Sequence, residues 1–384
     1  MNDLNRNIIH QFKVLKKQYP ILAVTGPRQS GKTTLLKSFF SDYKYVTLEN
    51  PDMRRYALND TKGFLAEYDN KVIFDEVQRV PELFSYLQTI VDEKKIMGQF
   101  ILSGSQNFQL LNNISQSLAG RVALLKLLPF DFKELQSGKL LPKDYYKLMY
   151  TGFYPAIYDR GISPTTYYSN YVQTYIERDV LELTHIKDLK LFRNFLLLCA
   201  GRAGQLLNLN NIANECGISQ PTARAWLSIL ESSYIVYLLQ PYYQNLSKRV
   251  VKSPKLFFYD TGLLCYLIGI RNPDKISTHP FKGALFENMI IGEYIKRNHH
   301  FGLAKDYWFW RDSQGHEVDL LSIEEDGWDA FEIKASKTIN TDFFKELDYF
   351  GKLAGDKLKQ KYLVYADDIN QKRTNYQVLG WDKI

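Results

Sequence analysis

Gly26-Pro27-Arg28-Gln29-Ser30-Gly31-Lys32-Thr33 decides how the first third of the chain is read. Two glycines separated by four residues and closed by Lys and Thr form the phosphate-binding loop pattern. Gly26 and Gly31 allow the backbone to turn so that successive N–H groups converge on an anion. Lys32 is expected to reach the β- and γ-phosphates of ATP, and the Thr33 hydroxyl to hold Mg2+. Pro27, Arg28, Gln29, Ser30 and Thr34 complete the cradle. The flanks agree: Ile21-Leu22-Ala23-Val24 reads as a short buried strand. Residues 32–40 read as the helix whose N-terminus attracts the anion.

Outward from the loop, Lys71-Val72-Ile73-Phe74-Asp75-Glu76 is an apolar strand ending in two acids. It follows the loop by about 40 residues, the separation of two adjacent βα units. Asp75 at the strand tip is expected to coordinate Mg2+ and Glu76 to act as general base on the attacking water. Residues 81–94 read as a helix with Pro at its start and one buried face, made by Leu83, Phe84, Leu87, Ile90 and Val91. A strand over 99–102 runs into Ser103-Gly104-Ser105-Gln106-Asn107, where Ser105 is the choice for touching the γ-phosphate or the water. A capping role for these small polar residues fits equally well. A further helix ends near Leu118 and leads through Gly120-Arg121 into a strand over 122–127. Arg121 reads either as an arginine finger on a neighbouring subunit's ATP or as a helix-terminus cation in a salt bridge. The first reading implies a homo-oligomer.

At 384 residues the chain has room for two or three domains. Its 27 Tyr and 23 Phe argue against disorder, and a net charge of +7 is compatible with nucleic acid without requiring it. Cys199, Cys216 and Cys265 are scattered with no CxxC pair, as expected of small buried hydrophobes in a reducing compartment. No signal-peptide core opens the chain and no apolar run approaches a membrane span, so a cytoplasmic protein without a membrane partner is expected.

The order GPRQSGKTT, KVIFDEVQRVPELF, FILSGSQN, SLAGR resembles a family of AAA-like prokaryotic ATPases joined to a C-terminal region long catalogued as a domain of unknown function. The resemblance continues through GFYPAIYDR, YIERDV and SPKLFFYDTGL and covers most of the chain. It implies a five-stranded parallel sheet with ATP at its C-terminal edge. By motif it carries over the roles of Lys32, Thr33, Asp75, Glu76, Ser105 and Arg121. A second sensor arginine has no motif to place it; Arg178 in Ile176-Glu177-Arg178-Asp179 is the candidate.

Residues 130–190 read as helices broken at Gly152, Pro155, Gly161 and Pro164, a lid beside the nucleotide. A helix over 210–216 stops at Gly217-Ile218-Ser219, and a second begins with Ser219 as cap and Pro221 in its first turn. Ala223, Trp226, Leu227 and Leu230 fall on one face, while Gln220, Thr222, Arg224 and Ser228 face the other and can bond bases or phosphates. With a following strand and the cations Lys248, Arg249, Lys252 and Lys255, this is a winged helix-turn-helix pattern able to meet DNA. Packing or protein contact is the competing role.

Near the end, residues 317–323 and 328–335 read as a hairpin. Alternation sets Glu332 and Lys334 on one face and Asp319 opposite its own apolar neighbours, so the hairpin can gather all three. Two carboxylates can hold Mg2+ while a lysine steadies an attacking water. The pattern Val-Asp…Glu-Ile-Lys resembles the restriction-endonuclease-like superfamily, which often adds a helix glutamate; Glu287 matches by position.

The expected α/β chain therefore has four parts: a P-loop parallel-sheet ATPase core over 1–130, a helical lid or linker over 131–190, a winged helix over 191–275, and a small α/β restriction-endonuclease-like domain over 276–384. The expected function is Mg2+-dependent ATP hydrolysis coupled to DNA binding or processing. The rival is a nucleotide-switched signalling or scaffold ATPase whose C-terminal half binds protein and does not cleave.

Overall fold

Strand β1 (Ile21–Thr25) is buried at every position because both of its faces are covered. Ile21 and Ala23 enter one apolar cluster, Leu22 and Val24 another. Such two-sided burial is the mark of a parallel sheet inside an α/β layer. In this computed structural model, which describes residues 4–104, 114, 117–176, 188–243 and 251–384, β1 is joined by β2 (Lys44–Thr47), β3 (Val72–Asp75), β4 (Phe100–Ser103) and β5 (Val122–Lys126). The order is β2-β3-β4-β1-β5 with every pairing parallel. The chain's path reverses beside β1, so the loop that follows β1 stands at the C-terminal edge where ligands bind in open α/β sheets. This edge carries residues 26–31, Glu76 and Gly104.

After β5 the chain forms helices Phe132–Ser137, Tyr145–Thr151, Pro155–Arg160 and Pro164–Tyr171 and a π-helical turn, Val172–Ile176. Pro155 and Pro164 stand at helix starts, and Gly161, at φ 60°, ends one of them, as the sequence leads one to expect. Helices Leu189–Ala200, Leu209–Cys216 and Gln220–Ser232 follow, then β6 (Val236–Leu239) paired antiparallel with β7 (Lys255–Phe258). Gly217 at φ 72° makes the tight turn, and the Ser219 side chain accepts the Thr222 N–H. Ala223, Trp226, Leu227 and Leu230 are buried as their spacing predicts, and Ile229 with them.

A six-stranded mixed sheet closes the chain in the order β12-β13-β11-β10-β9-β8. Its strands are β8 (Asp306–Arg311), β9 (Glu317–Glu324), β10 (Gly327–Lys334), β11 (Leu358–Tyr365), β12 (Gln371–Lys372) and β13 (Gln377–Gly380). The long helix Lys282–Phe301 covers one face through Phe286, Met289 and Ile290, and helix Lys345–Ala354 the other through Leu347 and Phe350. The chain positions expected to separate lid, helix-turn-helix and C-terminal domain do not separate their cores. One apolar cluster runs from Leu128 through Trp226 and Phe286 to Trp381. Among the described residues, no helix is long and apolar enough to cross a membrane.

Candidate functional site

The loop after β1 depends on its glycines. Gly26 has φ +148°, and a Cβ there would lie 2.1 Å from the Leu127 carbonyl oxygen. Gly31, at φ 92°, is the N-cap of helix Lys32–Phe39, so the helix begins inside the loop with its N–H groups aimed at an anion. The buried Lys32 ammonium donates to the carbonyls of Gly26 and Pro27, both at 2.8 Å. Beside it, Asp75 receives three hydroxyls: Thr33 Oγ1 at 3.0 Å, Tyr45 OH at 2.6 Å and Ser103 Oγ. Burial and the Asp75 carboxylate push the Tyr45 phenol well above its ordinary range, which keeps it a donor. Ser30 Oγ is buried within the loop with no hydrogen-bond partner among the described residues. Hard oxygen donors on Thr33 and Asp75, a lysine and an orphaned hydroxyl in a ring of N–H groups fit a Mg2+-bound nucleotide.

Glu76 follows Asp75 at φ 53°, a left-handed conformation that costs a non-glycine residue about 1 kcal/mol or more. Gln78 Nε2 donates to Glu76 Oε2 at 2.5 Å and fixes the carboxylate's direction. Ser105 and Arg178 lie outside the described residues. Arg121 opens β5 at the opposite edge of the sheet from the loop, where its carbonyl accepts the Ile21 N–H. Its guanidinium makes a two-pronged pair with Asp92, at 2.6 and 2.8 Å, so within one chain it cannot touch the loop. Thr34 is exposed on the helix, and Arg28 stacks 5.8 Å over the Tyr175 ring.

Three contacts brace the loop, and sequence reasoning misses all of them. Arg6 donates to the Ser30 carbonyl at 2.9 Å, to the Leu128 carbonyl at 2.6 Å and to Glu134 Oε1 at 3.0 Å. Gln29 Nε2 reaches Tyr175 OH at 2.6 Å, which sets the helical stretch beside the loop. Tyr234 OH donates to Thr25 Oγ1 at 2.7 Å from the residue pair that follows helix Gln220–Ser232. Around Arg6 the Leu128 N–H donates to His300 Nε2 at 3.2 Å, leaving Nδ1 to donate to Asp131 Oδ2 at 2.8 Å. Burial works against the Asp131 charge, but hydrogen bonds from His300, Asn7 and the Glu134 N–H outweigh it and hold the carboxyl down at about 2.

A second polar cluster lies in the C-terminal sheet. β9 and β10 pair antiparallel with Phe331 opposite Leu320, and the next step of this ladder sets Glu332 opposite Asp319. Asp319 Oδ2 accepts the Ile333 N–H at 2.8 Å, and Lys334 Nζ pairs with Glu332 Oε1. The structure thus brings Asp319, Glu332 and Lys334 together, with Glu287 of the long helix beside them. Burial and the neighbouring Asp319 charge raise the Glu332 carboxyl to about 9, against the pull of Lys334. Burial raises Glu287 to about 7 despite Lys255. Single oxygens of Glu287, Glu317 and Asp319 lie within 4.8 Å of one another, a spacing a divalent cation can bridge. Glu317 was legible: it stands two residues before Asp319 and so shares its face.

On helix Gln220–Ser232, Gln220, Arg224 and Ser228 are exposed, whereas Thr222 is half-buried against the Ser219 hydroxyl at 2.8 Å. Lys248 and Arg249 lie outside the described residues, and Lys252 is exposed. Lys255 corrects the expectation of a basic run facing phosphates: it is buried and pairs with Glu287 Oε1 at 2.9 Å and with Glu317 Oε1.

A five-stranded parallel sheet in this order, with a glycine loop closing on Lys32, Thr33 and Asp75, defines an AAA-like P-loop ATPase core. The family described as "AAA domain" matches residues 18–136. Two families described as domains of unknown function, DUF8612 and DUF4143, match residues 142–274 and 282–384. The chain is 31% identical over 326 residues to the uncharacterized protein Rv2008c of Mycobacterium tuberculosis, covering 83% of this chain and 71% of that protein. It is 23% identical over 415 aligned positions to the uncharacterized protein MJ1544 of Methanocaldococcus jannaschii, covering 99% and 87%. The chain belongs to the family of Rv2008c, and in this chain the AAA domain precedes the two regions of unknown function. Among solved structures, the Walker-type ATPase PABY2304 of Pyrococcus abyssi is similar at a TM-score of 0.47 and 13% identity, covering 70% of this chain and 96% of that one.

Proposed function

We propose that the chain hydrolyses ATP with Mg2+ and uses the nucleotide to control how its C-terminal half engages DNA. The observation that carries the first part is the gathering of Thr33, Tyr45 and Ser103 on Asp75 beside Lys32, with Glu76 held by Gln78. Bound Mg2+ supplies charge neutralisation at the β- and γ-phosphates. The chain's own residues do the rest. Loop N–H groups and Lys32 orient the phosphates, Thr33 and Asp75 hold the metal, and Glu76 takes a proton from the attacking water. Arg121, half-buried on the far edge of the sheet, leaves Asp92 and acts on a second copy's nucleotide in this reading.

Coupling is supported by the Tyr234–Thr25 hydrogen bond, which ties the base of the loop to the residues just after helix Gln220–Ser232. We read that helix, with the β6–β7 hairpin, as a winged helix whose Gln220, Thr222 and Arg224 meet DNA, helped by Lys248 and Arg249. The C-terminal sheet with Glu287, Asp319, Glu332 and Lys334 is read as restriction-endonuclease-like. ATP turnover measured with and without duplex, single-stranded and branched DNA tests the coupling. A rise with DNA that is lost in Arg224→Ala is expected; turnover indifferent to every DNA, together with recovery of a defined protein partner, would favour the scaffold reading. One observation already leans that way on cleavage: Lys255 sits among the acids where a metal would be needed.

A further inference from the structure

Lys255 comes from β7, in a different module from the carboxylates it meets. It is 2% exposed, and its ammonium bonds Glu287 Oε1 at 2.9 Å and Glu317 Oε1. Single oxygens of Glu287, Glu317 and Asp319 approach within 4.8 Å of one another. Oxygens bound to one divalent ion at about 2.0–2.6 Å stand at most about 5 Å apart, so the same atoms are spaced for a metal. Glu332 is 4% exposed and keeps Oε2 without a partner among the described residues, although Lys255 already engages Glu287 and Glu317 and Lys334 engages its other oxygen. An ammonium carries one charge and three donors, fewer than this acid cluster can use.

We propose that Lys255 is the resident cation of this site and keeps a divalent metal out of it, so that in this arrangement the C-terminal domain binds without cutting. The inference rests on reading that domain as nuclease-like. The lysine is held by its backbone as well as by charge. Gly204 N–H donates to the Leu256 carbonyl at 2.8 Å, and Leu256 N–H to the Gln205 carbonyl at 3.1 Å. Phe258 N–H donates to Asn288 Oδ1 at 2.8 Å, and Asn288 Nδ2 donates back to the Phe258 carbonyl at 2.7 Å. Asn288 is the residue after Glu287, so β7 and the carboxylate helix are clamped in one register. Ion pairs and a fixed strand together keep the Lys255 ammonium among the acids, and metal-dependent chemistry at the site requires it to leave.

The test is Mn2+ binding to the full chain without nucleotide, read by the electron paramagnetic resonance of free Mn2+ and by thermal shift. Asp319→Asn identifies which binding belongs to this cluster. The wild type should show no Asp319-dependent Mn2+ up to about 1 mM, the weak end of protein sites for hard divalent cations. Lys255→Met should bind one Mn2+ at least about tenfold more tightly and gain about 4 °C or more in Tm with the metal. Lys255→Gln, which removes the charge and leaves all the carboxylates in place, serves if the methionine variant does not fold. Equal Asp319-dependent affinity in wild type and variants would overturn the role of Lys255 and leave the nuclease-like reading standing. Folded variants that bind no Mn2+ would remove both.

Discussion

Replacing Arg6 with Ala should loosen the nucleotide loop from outside it. The side chain is 6% exposed and joins three groups: the Ser30 carbonyl, the Leu128 carbonyl and the fully buried Glu134 carboxylate. Breaking a buried ion pair by removing one partner costs about 3–5 kcal/mol. The low end applies, because Glu134 keeps the Asn7 N–H at 2.8 Å and the Asp131 N–H at 3.1 Å. Each carbonyl left without its donor adds about 0.5–1 kcal/mol once water partly replaces it. The sum, about 4 kcal/mol, is worth roughly 10 °C in Tm for a domain of this size. Circular dichroism is the suitable readout, since all five tryptophans lie beyond residue 220 and fluorescence would miss the first domain. ATP affinity, measured with a fluorescent analogue, should weaken as well, because Ser30 loses its anchor. Arg6→Lys should restore less than half, since an ammonium cannot present the guanidinium's fork to three acceptors. A loss under about 2 °C with unchanged affinity would refute the bracing role.

Three other outcomes follow from the geometry. Glu76→Gln should lower ATP turnover by about 100-fold or more while leaving nucleotide affinity within about twofold, which separates a general base from a binding group in single-turnover assays. Arg121→Ala should abolish a turnover that rises with protein concentration while leaving ATP affinity nearly intact, and unchanged turnover would remove the finger assignment. Burial, with the charge of Lys126 beside it, holds the His299 imidazole down at about 3. The unfolded chain therefore takes up a proton there below about pH 6.5 that the folded chain does not. Stability should fall by about 1 kcal/mol per pH unit between pH 6.5 and 3. His299→Gln should flatten the urea midpoints measured between pH 7 and 4, and parallel losses in both proteins would refute the assignment.

The loop was legible because its backbone angles admit few residue types, so Gly26, Gly31, Lys32 and Thr33 appear at fixed spacing. Asp75 and Glu76 followed from the length of one βα unit. Ser103 was within reach of the same reasoning, since parallel register sets it beside Asp75. Tyr45, Arg6 and Tyr234 were not, because each contact joins distant parts of the chain: Arg6 and Glu134 are 128 residues apart. Alternation along β9 and β10 was enough to gather Asp319, Glu332 and Lys334, and the same rule, carried one step further, finds Glu317. Lys255 misled for a physical reason. Next to other cations it reads as solvated, and only acids delivered by the long helix and β9 draw it inside.

The long helix Lys282–Phe301 meets His300 and the Arg6 network near one end and Glu287 near the other, about 20 Å apart at 1.5 Å per residue. A continuous helix moves along its axis as a strut, so a displacement imposed at one end arrives at the other almost undiminished. Lys255 stands 2.9 Å from Glu287, and Asn288 ties Phe258 of the same strand to the same helix, so β7 would travel with the strut. A displacement at the Arg6 end would therefore carry helix, strand and lysine together, and their travel would be taken up where β7 meets Gly204 and Gln205.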